Sequence, residues 1–384
     1  MLAPVQLRDF VRALEGTKVL TIYYDARVTD PAMRRAWRPA LASALRLHRA
    51  RLADDRDRAE FDRAAALLSD PLPVLDGVWG APGWVAFLAA TGVLYTEELP
   101  VRPPTYIVWR DGPAVAPYLR ALKQHRPVIV ALVDSRSARF YRYAWGTLTA
   151  LPEKALQVHD GERAHASSPS AARRLAFRAA RSAIGSEDVQ RRRQSAFHRL
   201  MVPFGERLAE LAGSDGWILI GGTPEWARLA AEHLPTVLEP RLMVSATLDH
   251  DERETNIVRE AKRAATELRA SHGLALIDRL VEQRGDAGRA AIGTPAVQRA
   301  LRTRAVDVLL TSPEFVRVHA ELAEDLVRDA LTQGADIEVL SGSAAEYLDA
   351  GFGGVAARLR FAIGSPPAAM ELKLDERTTT QSAG

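Results

Sequence analysis

The sequence predicts an α/β protein built from three domains. Its 384 residues are too many for one ordinary hydrophobic core. Short apolar runs of strand length alternate with stretches that carry apolar residues every three or four positions, and the links between them are short. Such alternation is typical of sheets covered by helices. We expect domains over 1–124, 125–248 and 249–365, and a disordered tail over 366–384, because no apolar face remains there.

The first domain is expected to open with a strand over 19–25, where β-branched and aromatic residues end at a turn. Apolar spacing predicts helices over 31–52 and 57–68. Glycines and aromatic residues over 78–99 favour a hairpin or a sheet edge. A strand over 105–109 and a short helix over 113–122 complete the domain.

The central domain is expected to begin with three strands in meander order. The continuous apolar run over 128–133 is typical of a buried strand, 138–143 runs back beside it, and 147–151 follows a turn at Gly146. The run over 215–222 predicts a further buried strand, which leads into a helix ending near His233.

Two helical patterns occupy the middle of the central domain. One runs over 170–184 and stops at Gly185. The other runs over 197–211, and we expect Pro203 and Gly205 to kink or split it.

The C-terminal domain continues the alternation of strands and helices. A long charged helix is expected first, then a helix capped near Thr294, a strand, a helix, and two further strands. The predicted ranges are 251–272 for the long helix, 306–311, 336–340 and 354–363 for the strands, and 320–333 for the last helix.

Composition excludes several classes of protein. Hydrophobic residues make up 47% and charged residues 26%, which fits a soluble globular chain. The sequence shows no membrane-length apolar run and no signal-peptide core, so we expect a cytoplasmic protein without membrane contact. Zero cysteines exclude disulfides and thiolate zinc sites. The nine histidines form no i, i+4 pair with an acid between them, so we expect no metal site. We also expect no cofactor and a monomer.

The most basic stretch lies in the middle of the chain. Nine arginines and two acids between Arg163 and Arg199 give a local charge of +7, whereas the whole chain carries +3. One reading is a surface that meets phosphates, since each neutralised phosphate releases counterions. The other is an arginine-rich helix face in solvent.

Two glycine pairs are weaker candidates. Gly221 and Gly222 precede Thr223 and a helix N-terminus, where free amides could hold a phosphate, but a plain turn with a threonine cap is the favoured reading. Gly353 and Gly354 are expected to form a turn before the closing strand.

Several segments, in this order, resemble the bacterial relatives of the archaeal and eukaryotic class-one peptide release factors and of Pelota. They are ALVDSRSARFYRY (131–143), GGTPEWARLAAEHLP (221–235), AIGTPAVQRALRTRAVDVLLTSPE (291–314), GADIEVLSGS (334–343) and FGGVAARLRF (352–361). The resemblance implies a central release-factor-like α/β domain and a C-terminal α/β sandwich of ribosomal-protein L7Ae-like type. It covers about 125–363.

In the peptide-releasing members, a Gly-Gly-Gln loop followed by Ser-Ala and an arginine-bearing helix enters the peptidyl-transferase centre. Gln194, Ser195 and Arg199 match this pattern, but Arg192 and Arg193 stand where the family has glycines. Arginine brings a Cβ and a long cationic stem into a place that glycine keeps open. Residues 1–124 show no motif like the family's codon-reading sequence. Stop-codon-dependent release is therefore not expected.

The resemblance makes Gln194 the catalytic candidate and assigns the neighbouring basic and polar residues to RNA contact. These residues are Arg173, Arg174, Arg178, Arg181, Arg191, Arg192, Arg193, Ser195, His198 and Arg199. A glutamine is no base at neutral pH, but it can orient a water or contact a nucleic-acid terminus.

Three functions are compatible with these features. The first is a ribosome-binding translation factor, acting in hibernation, rescue or quality control like the non-hydrolysing Balon-like members, with the basic loop on rRNA or a tRNA acceptor end. The second is a hydrolase of peptidyl-tRNA or tRNA that uses Gln194 and its arginines. The third is a small-molecule enzyme using the Gly221 loop.

The resemblance also implies a partner for the C-terminal domain, an elongation-factor-like GTPase. The predicted helix over 320–333 places Glu321, Glu324, Asp325 and Asp329 along one side, and such an acidic face would suit a basic protein surface better than RNA. The alternative is an acidic helix face in solvent.

Overall fold

A computed structural model of the chain describes residues 1–25, 37–69, 82–134, 137–152, 201–286 and 288–363. Within these ranges lie three β-sheets with helices packed against them, which confirms the α/β class. The predicted tail and the predicted helix over 170–184 lie outside the described residues. The domain boundaries given above stay a prediction.

The first sheet is formed by four antiparallel strands, in the order β3-β2-β1-β4. Its strands are β1 (Lys18–Asp25), β2 (Gly83–Ala89), β3 (Gly92–Leu99) and β4 (Tyr106–Asp111). The helices around it are α1 (Pro4–Ala13), α2 (Trp37–Arg51), α3 (Asp55–Ala66) and α4 (Ala116–Gln124). The predicted hairpin over 78–99 is present as β2 and β3, whereas α1 was missed.

The first sheet is buried on both faces. One face packs against α2 and α3 through residues such as Phe61, whose ring meets Trp109 edge-on at 5.8 Å. The other face joins Tyr23 and Phe87 to α1, to α4 and to buried side chains of the C-terminal region. The N-terminal and C-terminal regions therefore share one hydrophobic core.

The central sheet has five strands in the order β7-β6-β5-β8-β9, of which β5, β8 and β9 are parallel. Its strands are β5 (Val128–Val133), β6 (Ala138–Ala144), β7 (Thr147–Ala150), β8 (Trp217–Gly222) and β9 (Leu242–Val244), and the helices between them are α5 (201–212) and α6 (Pro224–Glu232). The predicted meander is confirmed.

Helix α5 is continuous over 201–212 through Pro203 and Gly205, so the predicted split does not occur within the described residues, and the predicted kink stays a prediction. A Cβ on Gly205 would lie 3.4 Å from the side chain of Leu234, which indicates that glycine permits close packing here. Phe204 is buried against Phe140 of the sheet, with ring centroids 5.7 Å apart.

The C-terminal sheet is covered by helices on both faces, which matches the expected α/β sandwich. Its strands are β10 (Ala290–Ile292), β11 (Val306–Thr311), β12 (Asp336–Val339) and β13 (Val355–Leu359). Its helices are α7 (Glu254–Asp286), α8 (Gly293–Arg302), α9 (Pro313–Val318), α10 (Ala320–Thr332) and α11 (Ser343–Phe352). The sheet order is β10-β13-β11-β12, with only β11 and β12 parallel among the described pairs.

Helix α7 is 33 residues long and extends well beyond the predicted range of 251–272. Its first half buries Ile257 and Leu268 against the central sheet, and its second half buries Ile277 and Leu280 against the C-terminal sheet. One helix therefore contributes to two cores, on either side of Gly273, where a Cβ would lie 3.1 Å from Ala344.

The acidic face predicted for α10 is not a free surface. Glu324 is 1% exposed, and its carboxylate accepts hydrogen bonds from the backbone N–H groups of Val115 and Ala116 in the N-terminal region. Asp325 pairs with Arg110. The prediction of an acidic docking side is therefore wrong for Glu324, because that carboxylate fastens the helix to the start of α4.

Candidate functional site

The residues assigned to catalysis and RNA contact in the sequence, Gln194 and those between Arg173 and Arg199, lie outside the described residues. The structure shows where the chain on either side of this segment joins the central sheet. The chain leaves the central sheet after β7 and resumes as α5, which packs on the face that carries Phe140. The opposite face of the sheet packs against α7.

The Gly221-Gly222 loop is a close-packed turn. Gly222 has a φ of +113°, and a Cβ there would lie 2.0 Å from the carbonyl oxygen of Val133. Its backbone N–H donates to the carbonyl oxygen of Leu248, and the backbone N–H of Thr223 donates to the carbonyl oxygen of Val133. These amides are therefore not free for a phosphate, and the plain-turn reading holds, although the side chain of Thr223 makes no capping bond.

A serine and a histidine meet where α7 approaches the β5–β6 turn. Ser137 Oγ lies 3.2 Å from His250 Nε2, and His250 Nδ1 lies 3.4 Å from an Asp251 carboxylate that is 90% exposed. Asp251 is also paired with Arg139, whose guanidinium donates to the backbone oxygen of His250. The group therefore ties the segment before α7 to the turn, with the imidazole shared among several partners.

A cluster of buried ion pairs joins the three sheets. We call it the paired charge cluster; its members are Lys123, Arg126, Asp215, Asp336 and Glu338. The ammonium of Lys123 lies 3.1 Å from Asp215, 2.7 Å from Asp336 and 3.4 Å from Glu338. Arg126 pairs with Asp215 at 2.9 Å and also with Glu338. Both cations are at least 94% buried, so their carboxylate partners supply the charge balance that burial requires.

The electrostatics of Glu338 reflect this environment. Burial by itself raises the pKa of a carboxyl, but the nearby imidazole of His272 and the charges of Arg126 and Lys123 outweigh burial and hold the pKa of Glu338 well below its usual range. The ionised form is therefore the one that the fold stabilises.

A second basic group lies beside this cluster and was missed in the sequence. We call it the basic-aromatic cavity; its defining residues are His125, Trp145, Lys262 and Arg269. The cavity has a volume of about 220 Å³ and lies between the β6–β7 hairpin tip and the middle of α7. Arg126 also lines it, with its guanidinium over the ring of Trp217 at 4.9 Å.

Sequence signals for the cavity were present but separate. In the sequence, Gly146 indicates only a turn. Lys262 and Arg269 are only two positive charges, seven residues apart on a helix. That spacing is about two helical turns, so the two side chains share one face. Only the packing of α7 against the central sheet brings that face to the hairpin tip.

Within the described ranges, no group of histidine and acidic side chains is arranged to hold a metal ion. In the same ranges, no helix combines the length and the apolar content needed to cross a bilayer.

Two family models match the chain. Residues 113–266 match the bacterial archaeo-eukaryotic release factor family 10, and residues 271–363 match domain 3 of eRF1. Together, these two matches support a bacterial archaeo-eukaryotic release factor-like protein, which confirms the resemblance seen in the sequence.

Solved structures with partial likeness include Archaeoglobus fulgidus Pelota, with 15% identity over 73% of this chain and 80% of that one and a TM-score of 0.32. Saccharomyces cerevisiae Dom34 shares 14% identity over 62% of this chain and 63% of its own, with a TM-score of 0.39. An archaeal Pelota in a ribosome-bound model shares 16% identity over 73% and 78%, with a TM-score of 0.40. No protein with a curated description matches the sequence.

Proposed function

We propose that this protein is a ribosome-binding translation factor that acts in hibernation, rescue or quality control rather than in stop-codon-dependent termination. The observation that supports the proposal most is the tandem match of residues 113–266 and 271–363 to release-factor domains. We expect the protein to act in the cytoplasm, where a ribosome-binding protein meets its partner.

The basic segment is the proposed RNA-contacting part. Its nine arginines between Arg163 and Arg199 suit phosphate contact because a guanidinium can donate two parallel hydrogen bonds. Arg192 and Arg193 replace the two glycines that precede the glutamine in peptide-releasing relatives. A pair of long cations there favours contact with rRNA or a tRNA end over peptide release.

Sedimentation of the full chain with ribosomes tests this function. We expect co-migration that weakens steeply as salt rises, because phosphate contacts release counterions. Replacing Arg191, Arg192 and Arg193 with glutamine should reduce binding and flatten its salt dependence. A chain that fails to co-migrate at low salt would end the proposal.

A matched control removes the same charge elsewhere. Arg46, Arg56 and Arg63 are exposed on α2 and α3, so their replacement by glutamine changes the net charge equally. The control should bind ribosomes nearly as the unmodified chain does. Equal loss in both variants would mean that net charge alone drives binding, which contradicts a dedicated basic segment.

The C-terminal region is proposed to bind a translational GTPase, which the match to eRF1 domain 3 supports. The buried contact of Glu324 removes that residue from the acidic side of α10 that was considered for this partner. Because the N-terminal and C-terminal regions share a core, the full chain is the appropriate reagent. Size-exclusion chromatography with an elongation-factor-like GTPase should show a complex, and separate migration at micromolar concentration would contradict it.

A peptidyl-tRNA or tRNA hydrolase is the second candidate function, because Gln194, Ser195 and Arg199 keep the releasing pattern. In this candidate, Gln194 orients the water and the arginines stabilise developing negative charge. Peptidyl-tRNA incubated with the chain should be cleaved, and Gln194→Ala should abolish cleavage while Gln190→Ala should not. Cleavage that survives Gln194→Ala unchanged would refute the assignment.

A further inference from the structure

The basic-aromatic cavity carries positive charge that the described residues do not balance. Arg269 forms no ion pair or hydrogen bond within the described ranges, and its Nε is buried without a partner. Lys262 likewise has no ion pair there, and no acidic side chain is among the described residues that line the cavity. Burial, together with the neighbouring charge of Arg126, lowers the pKa of Arg269. An anion placed between these cations would relieve that cost.

A neighbouring arginine on the same helix does have acidic partners. Arg263 hydrogen-bonds Glu260 and Glu267, which lie three residues before it and four residues after it. Lys262 and Arg269 face the cavity instead. Helix α7 therefore supplies acidic partners for Arg263 but none for the exposed Lys262 and the half-buried Arg269 that line the cavity.

The aromatic side of the cavity is held in an unfavourable backbone conformation. Trp145 and Gly146 form the two-residue β6–β7 turn with φ of +54° and +86°. Turns with positive φ at both positions favour Asn, Asp or Gly, and a residue with a Cβ is strained there. The Trp145 ring lies 5.2 Å from the His125 ring at an angle of 32°. A large aromatic side chain is thus kept where the turn itself would favour a small polar one.

Together, an aromatic ring pair and two cations without acidic partners match the chemistry of a nucleotide. Aromatic side chains stack on any base, and arginine and lysine bind its phosphate. The volume of about 220 Å³ is below that of a drug-sized site. It suits one base, with the phosphate lying at the cationic rim.

We propose that the cavity binds one nucleotide, with its base stacked on the ring of Trp145 beside His125 and its phosphate held by Lys262 and Arg269. The nucleotide is either a free mononucleotide or one unit of an RNA strand. The site packs against α7, whereas α5, which follows the predicted Gln194 segment, packs on the opposite face of the central sheet. The proposal does not depend on ribosome binding, and its test uses no ribosome.

The test is calorimetric titration of the full chain with AMP, with inorganic phosphate, and with a short single-stranded oligoadenylate. We expect AMP to bind more tightly than phosphate. Trp145→Asn keeps a residue suited to the turn and should weaken AMP binding by about tenfold or more, as loss of one stacked base does. Lys262→Gln and Arg269→Gln should each weaken binding by a similar factor.

The matched control is Arg263→Gln, which removes an equal charge from the same helix outside the cavity. It should leave AMP binding unchanged, and circular dichroism should show that every variant is folded. AMP binding that depends on Trp145 and is no tighter for oligoadenylate identifies a free nucleotide; Trp145-dependent binding of oligoadenylate alone identifies RNA. The proposal is overturned if neither ligand binds, if phosphate binds as tightly as AMP, or if Trp145→Asn binds normally.

Discussion

Two groups of basic side chains lie next to each other around Arg126, and they differ in how their charge is balanced. In the paired charge cluster, Lys123 and Arg126 meet carboxylates brought from residues as distant as Glu338. In the basic-aromatic cavity, Lys262 and Arg269 meet no carboxylate among the described residues. Buried charge is tolerated when it is paired, so the first group connects α4 and the central sheet to the C-terminal sheet. The second group has capacity for a ligand.

Glu338→Gln should have the largest effect on stability. It leaves Lys123 and Arg126 buried with one fewer negative partner, and breaking a buried pair costs about 3 kcal/mol or more. Chemical denaturation of the full chain measures the loss. Asp307→Asn breaks a more exposed pair with Arg358, 39% and 27% exposed, and should cost no more than about 1 kcal/mol. Equal losses in both variants would contradict the assigned role of the buried cluster.

The pH dependence of stability should also report on Glu338. Its pKa is lower in the folded chain than in the unfolded chain, where it is about 4.3. Its contribution is therefore full above that value and is lost as pH falls below it. Unfolding midpoints measured from pH 6 to pH 3 should fall less steeply for Glu338→Gln than for the unmodified chain. Parallel profiles would show that Glu338 does not titrate as the cluster requires.

Glu324→Gln tests a second buried carboxylate, which contacts backbone amides instead of cations. The change replaces one accepting oxygen with an N–H₂ group that faces a backbone N–H, so a loss of about 1–3 kcal/mol is expected. The control Glu321→Gln alters an exposed residue on the same helix and should leave stability unchanged. Thermal unfolding of the two variants decides the point, and matching midpoints would argue against a fastening role for Glu324.

Arg269→Met should have the smallest effect on stability. Any effect should be stabilising, opposite in sign to that of Glu338→Gln. Methionine keeps an unbranched stem and removes a partly buried guanidinium that lacks a described partner, so stability should stay within about 0.5 kcal/mol or rise. The same denaturation experiment measures it. A loss as large as that of Glu338→Gln would show that Arg269 is a structural cation after all.

Elements with strong local patterns were predicted well. The apolar run over 128–133 is a fully buried strand, and 306–311 is a strand with the same bounds as predicted. The errors concerned the length of α7 and the exposure of one side of α10. Helix α7 continues past His272 because its second half packs against the C-terminal sheet. Glu324 is buried because its carboxylate accepts hydrogen bonds from two backbone amides of the N-terminal region. Neither circumstance is visible in local periodicity.

The candidate sites also differ in how far the sequence predicted them. The resemblance that identified the family rested on the order of local segments, and the family models confirm it. The role of Gln194 and its arginines stays a prediction, since they lie outside the described residues. The basic-aromatic cavity was not predicted, because its members come from two turns and a helix that are up to 144 residues apart in the sequence.

The sequence by itself determined the α/β class, four of the five strands of the central sheet, the family resemblance and the concentration of positive charge in the middle of the chain. These properties depend on neighbouring residues and on composition, which local periodicity and counting reveal. The tertiary structure alone decided how the buried cations Lys123 and Arg126 are neutralised. Lys123 and Glu338 are 215 residues apart, whereas the partners of Arg263 lie within four residues of it on α7. Pairing depends on distance in space, and that distance is set by packing.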